Sequence, residues 1–436
     1  MILLKSFRNI FLISELRKKI GFTLGVIIID RLGTYIPVIG VDILKLSDIM
    51  QQKTGVGGLL SYFDMFSGGA LNRCAVFALG ISPYITASIM MQILGMTIPS
   101  LEALLKEGEF GRKIINQYTR YLALGLSIMY SIPLALWLES AGLVLMPGWI
   151  FRILFVFTLT AGAMMVMWLG DQISLYGIGN GSSVIIFAGI VSSFPVHILK
   201  LVHLVQEGSL NIILALMVLV AFLFITASIV FLEKGERKIP VQYARRIVGN
   251  RVFSGQSSYI PFKINSAGIM PVIFAGTVLQ APMFVASLLS AKLPIVNTVV
   301  QAFYHGPLYY VTDFLLIIMF SFFYTALAIN PVELAENIRK NGGFVPGMRP
   351  GKQTAQYFDY LLTRIGLVGA IYLGFLALFP AILNFVFNIP FAISGTSMLI
   401  AVGVALELAS QVESYLIERR YEGFLSGGRM KRGSVR

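Results

Sequence analysis

Charge is what this 436-residue chain has least of: 13% of its residues are Asp, Glu, Lys or Arg, while 56% are apolar. A soluble chain carries about a quarter charged residues, so half the expected charge is missing, which excludes soluble, disordered and secreted classes. A mean hydropathy of +0.80 agrees with an integral membrane protein. Cysteine is reduced to Cys74, so no disulfide framework is available, and one Cys with three His cannot build a usual structural zinc site. Cys74 reads as a small apolar packing residue. His197, His203 and His305 have no paired acid or nucleophile nearby. Nucleotide motifs also fall short. Gly347-Met-Arg-Pro-Gly-Lys-Gln has the wrong glycine spacing for a phosphate loop and no Ser or Thr after Lys352, and Gly177-Ile-Gly-Asn-Gly follows an apolar span rather than a strand. The chain therefore reads as a non-enzyme with no cofactor and no metal. A cleavable leader is not expected, because Lys5, Arg8, Arg17, Lys18 and Lys19 run through the stretch where its apolar core would lie.

What is present is apolar sequence in bilayer-length pieces. About 20 apolar residues cross a hydrocarbon core, and ten such spans are expected near 20–39, 74–96, 118–138, 152–170, 182–202, 211–232, 267–290, 311–330, 364–384 and 392–416. Asn384, Asn388 and Pro390 divide the long uncharged stretch between Arg364 and Glu407 into two of these spans. Of the 34 Lys and Arg, Arg31 lies inside span one and Lys45, Lys53, Arg73, Arg152, Lys200 and Lys292 fall on one face. The rest share the face of both termini, which the positive-inside rule makes cytoplasmic. The expected organisation is an N-terminal half 1–205, a C-terminal half 206–416 and a cytoplasmic tail 417–436. Two basic connections, 233–266 and 331–363, are too long for turns. They suit anionic lipid or a large acidic or nucleic-acid-bearing partner.

An internal repeat marks a functional axis. Gly80-Ile-Ser-Pro-Tyr-Ile85 in span two matches Gly268-Ile-Met-Pro-Val-Ile273 in span seven. Gly181-Ser-Ser-Val-Ile-Ile186, with Gly189 beyond it, matches Gly395-Thr-Ser-Met-Leu-Ile400 with Gly403 in span ten. Matching spans are five apart, an odd number, so the second half enters from the opposite face. The fold class is thus an all-α integral membrane protein of ten transmembrane helices in two inverted five-helix halves. Pro83 and Pro271 are expected to kink their spans. Before span two, the segment around 57–71 is apolar but short, with Asp64 and two Gly-Gly pairs; it reads as a short re-entrant helix in a cavity or an interfacial helix. Asp30, Arg31 and Glu407 are intramembrane charges expected to pair with buried groups. Two other classes stay open at this point, a small-solute transporter and a scaffold for other membrane subunits.

Longer motifs narrow the choice. Phe66-Ser-Gly-Gly-Ala-Leu, Phe77-Ala-Leu-Gly-Ile-Ser-Pro-Tyr-Ile-Thr-Ala-Ser-Ile, Phe187-Ala-Gly-Ile-Val, Tyr324-Thr-Ala-Leu and Phe344-Val-Pro-Gly-Met-Arg-Pro-Gly-Lys-Gln-Thr resemble the SecY family, the large channel subunits of the bacterial Sec protein translocase. The resemblance implies a clamshell channel that moves unfolded preproteins across the plasma membrane (the bacterial inner membrane) and releases hydrophobic segments sideways into it. It implies a pore ring of Ile81, Ile85, Ile186, Ile273 and Ile400, with Ser182 departing from the family's aliphatic residue. It implies a plug helix presenting Leu59, Leu60, Tyr62, Phe63, Met65 and Phe66. Arg349, Lys238, Arg245, Arg246 and Arg251 would face SecA or the ribosome, and Thr86, Gln92 and Gln280 would lie at a lateral gate. The implied partners are SecE and SecG in a heterotrimer, the SecA ATPase, the ribosome, signal peptides and preproteins, and anionic lipids.

Overall fold

In lipid every backbone N–H and C=O must find its partner within the chain, so apolar runs of this length fold as helices. The structure, a computed structural model, describes residues 13–42, 45–46, 64, 67–208, 210–243, 246–248, 251–253, 257–279, 303, 306–387 and 395–430. The first helices are α1 (Ser14–Gly33), α2 (Ser82–Thr97), α3 (Pro99–Lys106), α4 (Glu109–Ser140), α5 (Trp149–Tyr176), α6 (Gly181–Gln206) and α7 (Ile212–Lys234). Four strands follow: β1 (Glu236–Tyr243), β2 (Arg246–Val248), β3 (Arg251–Phe253) and β4 (Ser257–Lys263). The chain continues through α8 (Met270–Leu279), α9 (Pro307–Ala328), α10 (Pro331–Lys340), β5 (Gly343–Phe344), α11 (Lys352–Phe387) and α12 (Gly395–Met430).

Seven of these are long and apolar enough to cross a membrane: α4, α5, α6, α7, α9 with its continuation α10, α11 and α12. Counted as one broken span, the bent pair α2–α3 makes an eighth among the described residues. Its 103° break falls at Ile98, whose extended backbone (φ −100°, ψ 115°) is what a following proline, Pro99, imposes. The helices α1 and α8 occupy the places of expected spans one and seven.

Two expected spans are displaced. Span one runs Ser14–Gly33 rather than 20–39 and takes Lys18 and Lys19 into its first turns. It stops where the Thr34 N–H closes onto the carbonyls of Asp30 and Arg31, and the chain then extends so that Val38 N–H bonds the Cys74 carbonyl at 2.9 Å. Span two is helical only from Ser82; residues 74–81 are apolar but form turns, with φ +47° at Cys74 and +54° at Gly80. Hydropathy registers the burial of this stretch and is blind to its backbone.

The chain divides into two compact units. One holds α1 to α5, α6 as far as Lys200, and α12 from Val404 onward. Its core includes Leu71, Cys74, Leu138, Phe155 and Leu159. At one edge Lys19 Nζ donates to Tyr415 Oη at 3.0 Å and tethers α1 to α12. The other unit holds the remainder of α6 through α11, and α12 up to Gly403.

Within the second unit, the basic connection after α7 is a folded module rather than an irregular loop. Antiparallel β4 and β5 flank β1, and Ile239 and Val241 are buried between exposed neighbours, as a half-covered strand requires. These two side chains pack with Phe262, Ala335, Ile338, Val345, Phe358 and Leu362 into a core shared by the sheet, α10 and the start of α11.

Candidate functional site

The two Gly-Ile-x-Pro-x-Ile motifs fold alike. Gly80 (φ +54°) and Gly268 (φ +64°) both adopt a left-handed backbone that a side chain disfavours. Each is followed by one isoleucine and then by a helix, α2 at Ser82 and α8 at Met270. The Ile81 carbonyl accepts from the N–H groups of Tyr84 and Ile85, both at 3.1 Å; the Ile269 carbonyl accepts from Val272 at 3.2 Å and Ile273 at 3.4 Å. Pro83 and Pro271 therefore sit at the second helical residue, where a missing N–H removes no helical bond. They start helices instead of kinking spans, contrary to the sequence expectation. Ile85 and Ile273 occupy the same place in the first turn of their helices.

The second pair of motifs also shares a geometry. Gly181 and Gly395 are the first residues of α6 and α12. A Cβ at Gly181 would lie 1.7 Å from the Gly170 carbonyl oxygen of α5, and one at Gly395 would lie 2.2 Å from the Ala377 carbonyl oxygen of α11. Glycine is the only residue that lets these helix starts dock backbone to backbone. One and a half turns on, Ile186 and Ile400 are 2% and 1% exposed. Ile273 is also buried, Ile85 is half-buried, and the Ile81 δ-methyl packs with that of Ile185 over Gly170. Ser182, the departure from an all-aliphatic pattern, is satisfied locally by donating to Asn180 Oδ1 at 2.6 Å.

The six expected plug side chains, Leu59, Leu60, Tyr62, Phe63, Met65 and Phe66, lie outside the described residues. Described are Asp64 and the loop from Ser67 that joins this segment to span two. The Asp64 carboxylate, 7% exposed, accepts from Leu71 N–H at 2.8 Å, Asn72 N–H at 3.0 Å and Ser67 Oγ at 3.4 Å, with the Asn72 amide on its other oxygen. One side chain thus closes the whole loop. This role was not assigned from the sequence; the signal was an acid seven and eight residues ahead of the groups it receives.

Among the gate candidates, Thr86 is buried and returns its hydroxyl to the Ser82 carbonyl at 3.0 Å. Gln92 is exposed on α2 and meets Ser88 Oγ at 3.4 Å. Gln280 lies outside the described residues.

The basic residues concentrate on the sheet module. Lys238 projects from β1 and pairs with Glu236 at 3.2 Å. Arg246 and Arg251 belong to the small hairpin of β2 and β3, and Arg245 lies outside the described residues. Arg349 is exposed on the turn between β5 and α11, with its side chain unpaired among the described residues. That turn is fixed on both sides. Val345 is buried in the module core, Gly347 (φ +83°) and Gly351 (φ +108°) make the reversals, and Thr354 Oγ1 donates to the Arg349 carbonyl at 3.0 Å. The near miss to a phosphate loop is this rigid turn.

Comparison with known proteins agrees with this geometry. Residues 75–409 match the family model described as SecY. The chain is 42% identical over 428 residues to the protein translocase subunit SecY of Escherichia coli, covering 96% of each chain. It is 43% identical over 437 residues to that of Thermus thermophilus, covering 98% of this chain and 99% of the relative. Among solved structures it is similar to "The structure of a protein conducting channel", with a TM-score of 0.65 at 17% identity over 91% of this chain and 92% of that one. A second, described as the SecY protein whose plug domain "maintains a membrane seal", gives a TM-score of 0.64 at 18% identity over 91% and 92%.

Proposed function

The chain belongs to the SecY family, and from that premise we propose that it conducts unfolded polypeptides through an isoleucine-lined constriction closed at rest by the segment 57–71. It is a protein translocase channel subunit of the inner membrane, and its family is not enzymatic. The observation that supports the mechanism is the paired helix-start geometry, which gives Ile85 and Ile273, and Ile186 and Ile400, equivalent positions in the two halves.

The physics suits the task. An extended chain in hydrocarbon leaves each backbone N–H and C=O unpaired, at roughly several kcal/mol apiece. A water-filled path removes that cost, yet it must not pass ions. A narrow apolar ring dewets when empty and offers a passing chain no donor or acceptor that would hold it. β-Branched side chains are stiff at χ1, so the ring of Ile81, Ile85, Ile186, Ile273 and Ile400 widens by helix displacement. A seam open to lipid, near Thr86, Gln92 and Gln280, lets apolar segments leave by partitioning, each Leu, Ile, Phe or Val favouring the bilayer by roughly 0.3–0.6 kcal/mol.

Work comes from outside the chain. The sheet module with Lys238, Arg245, Arg246, Arg251 and Arg349 is the docking face for SecA or the ribosome, and its excess of positive charge, shared by the tail, supports a cytoplasmic placement of both termini and contact with anionic lipid. SecE and SecG complete the heterotrimer, and signal peptides and preproteins are the cargo. Cysteines placed at Ile85, Ile186, Ile273 and Ile400 test the reading by crosslinking to an arrested export substrate; the native Cys74, 2% exposed, leaves the background silent. Adducts at all four positions are expected. A substrate that crosslinks at none of them would overturn the ring.

A further inference from the structure

The intramembrane pair Asp30–Arg31 has no task in that mechanism, and its surroundings assign one. Arg31 Nε and Nη2 donate to a single Asp30 carboxylate oxygen at 3.1 and 2.6 Å, and the Asp30 side chain is 3% exposed. Asp30 therefore neutralises the guanidinium and fixes its plane. The remaining arm, Nη1, donates to Ser192 Oγ on α6 at 3.1 Å, and Ser192 donates onward to the Gly189 carbonyl at 2.7 Å. Held from both ends, the guanidinium lies against the backbone of Gly68. A Cβ at Gly68 would sit 2.0 Å from Arg31 Nη1 and 3.0 Å from the Gly189 Cα, and the residue's φ is +65°. Gly68 belongs to the loop that Asp64 closes, the point at which the segment 57–71 meets α1 and α6.

We propose that Arg31, oriented by Asp30 and Ser192, is the seat of the plug: a positioning residue on which the Gly68-Gly69 stalk rests while the channel is closed. The inference rests on the plug reading of 57–71. Each arm of the guanidinium has its partner on α1 or α6, so the seat exists whether or not the stalk occupies it. A guanidinium is planar and weakly hydrated, and a glycine backbone packs flat against it without a strong directional bond. The stalk is held by shape and leaves without breaking an ion pair. Among the described residues Asp64 bonds to Ser67, Leu71 and Asn72, so Gly68 and Gly69 lie in a loop that is braced from within and not by the seat.

The test uses the assembled translocase in planar bilayers and reads resting conductance without substrate, with melting temperature as the folding control. Gly68→Ala is expected to raise resting conductance roughly tenfold, and Arg31→Ala with Asp30→Asn, which strands no carboxylate, to do the same. Because all three changes break one contact, combining them is expected to leave conductance near that tenfold level instead of roughly a hundredfold. Arg31→Lys keeps the charge and loses the fork, and it too is expected to leak. Unchanged conductance in these variants, or a multiplicative rise on combination, overturns the seat if deletion of 57–67 still leaks. Absence of leak in the deletion overturns the plug reading itself.

Discussion

Each Gly-Ile-x-Pro-x-Ile helix start is reached through a long connection, and the two connections are chemically opposite. The one before Gly80 is apolar and glycine-rich, and its acid Asp64 is buried and fully engaged by Ser67, Leu71 and Asn72. The one before Gly268 carries exposed basic residues on a small sheet, with its apolar residues turned into a core of their own. The helix starts are the same and the leaders differ. The repeat therefore constrains how each helix starts, while the preceding connection is free to differ, in one case an apolar glycine-rich loop and in the other a basic sheet module. Charge is handled accordingly: Asp64 holds the chain's own backbone, whereas Arg349 on the module turn is exposed and its side chain is unpaired among the described residues.

The largest effect expected from this contrast is at Arg349. Reversing it in Arg349→Glu changes an exposed side chain whose turn is held by Val345, Gly347 and Thr354, so the fold is expected to persist and the proposed docking to fail. Motor-driven export in vesicles is expected to fall about tenfold or more, with melting temperature unchanged; normal export would separate the module from recruitment. Next come the equivalent helix starts. Gly181→Ala and Gly395→Ala each push a methyl into a backbone carbonyl, and each is expected to cost about 1–3 kcal/mol, read as thermal unfolding in detergent. A large loss for one and none for the other would break the equivalence of the halves. Least affected is Lys238→Gln, which removes an exposed pair with Glu236. Its stability is expected to stay within about 0.5 kcal/mol of the parent, and a larger loss would place Lys238 in the module's own framework.

Most of the membrane architecture was legible as runs of hydropathy, and the repeat was legible as spelling. What hydropathy could not register was backbone. It drew span one past Lys18 and Lys19, although a helix carries lysines in its first turn without penalty when the side chains reach the interface. It included 74–81 in span two because those residues are buried, although Gly80 and the Pro83 that follows are the ordinary markers of a helix start. The sheet module was hidden by its charge: Glu236-Arg-Lys-Ile-Pro-Val-Gln-Tyr reads as a polar loop, and only the alternation of Ile239 and Val241 betrays a strand. Arg31 was visible as an intramembrane charge, but its neighbours Ser192 and Gly68 are distant in sequence and only the fold brings them together.

The helix α11 runs without interruption for 36 residues, Lys352 to Phe387, a length of about 54 Å at 1.5 Å per residue. Its first turns, through Ala355, Phe358 and Leu362, are cemented into the module beside the Arg349 turn, and farther along its Ala377 carbonyl meets the start of α12 at Gly395. As far as Pro380, which removes one backbone hydrogen bond inside the helix, a rod fixed in that way is a lever arm. Under the docking proposed above, a push on the basic turn would reach the apolar part of this helix as a tilt of its shaft, and so move a gate that the partner never touches.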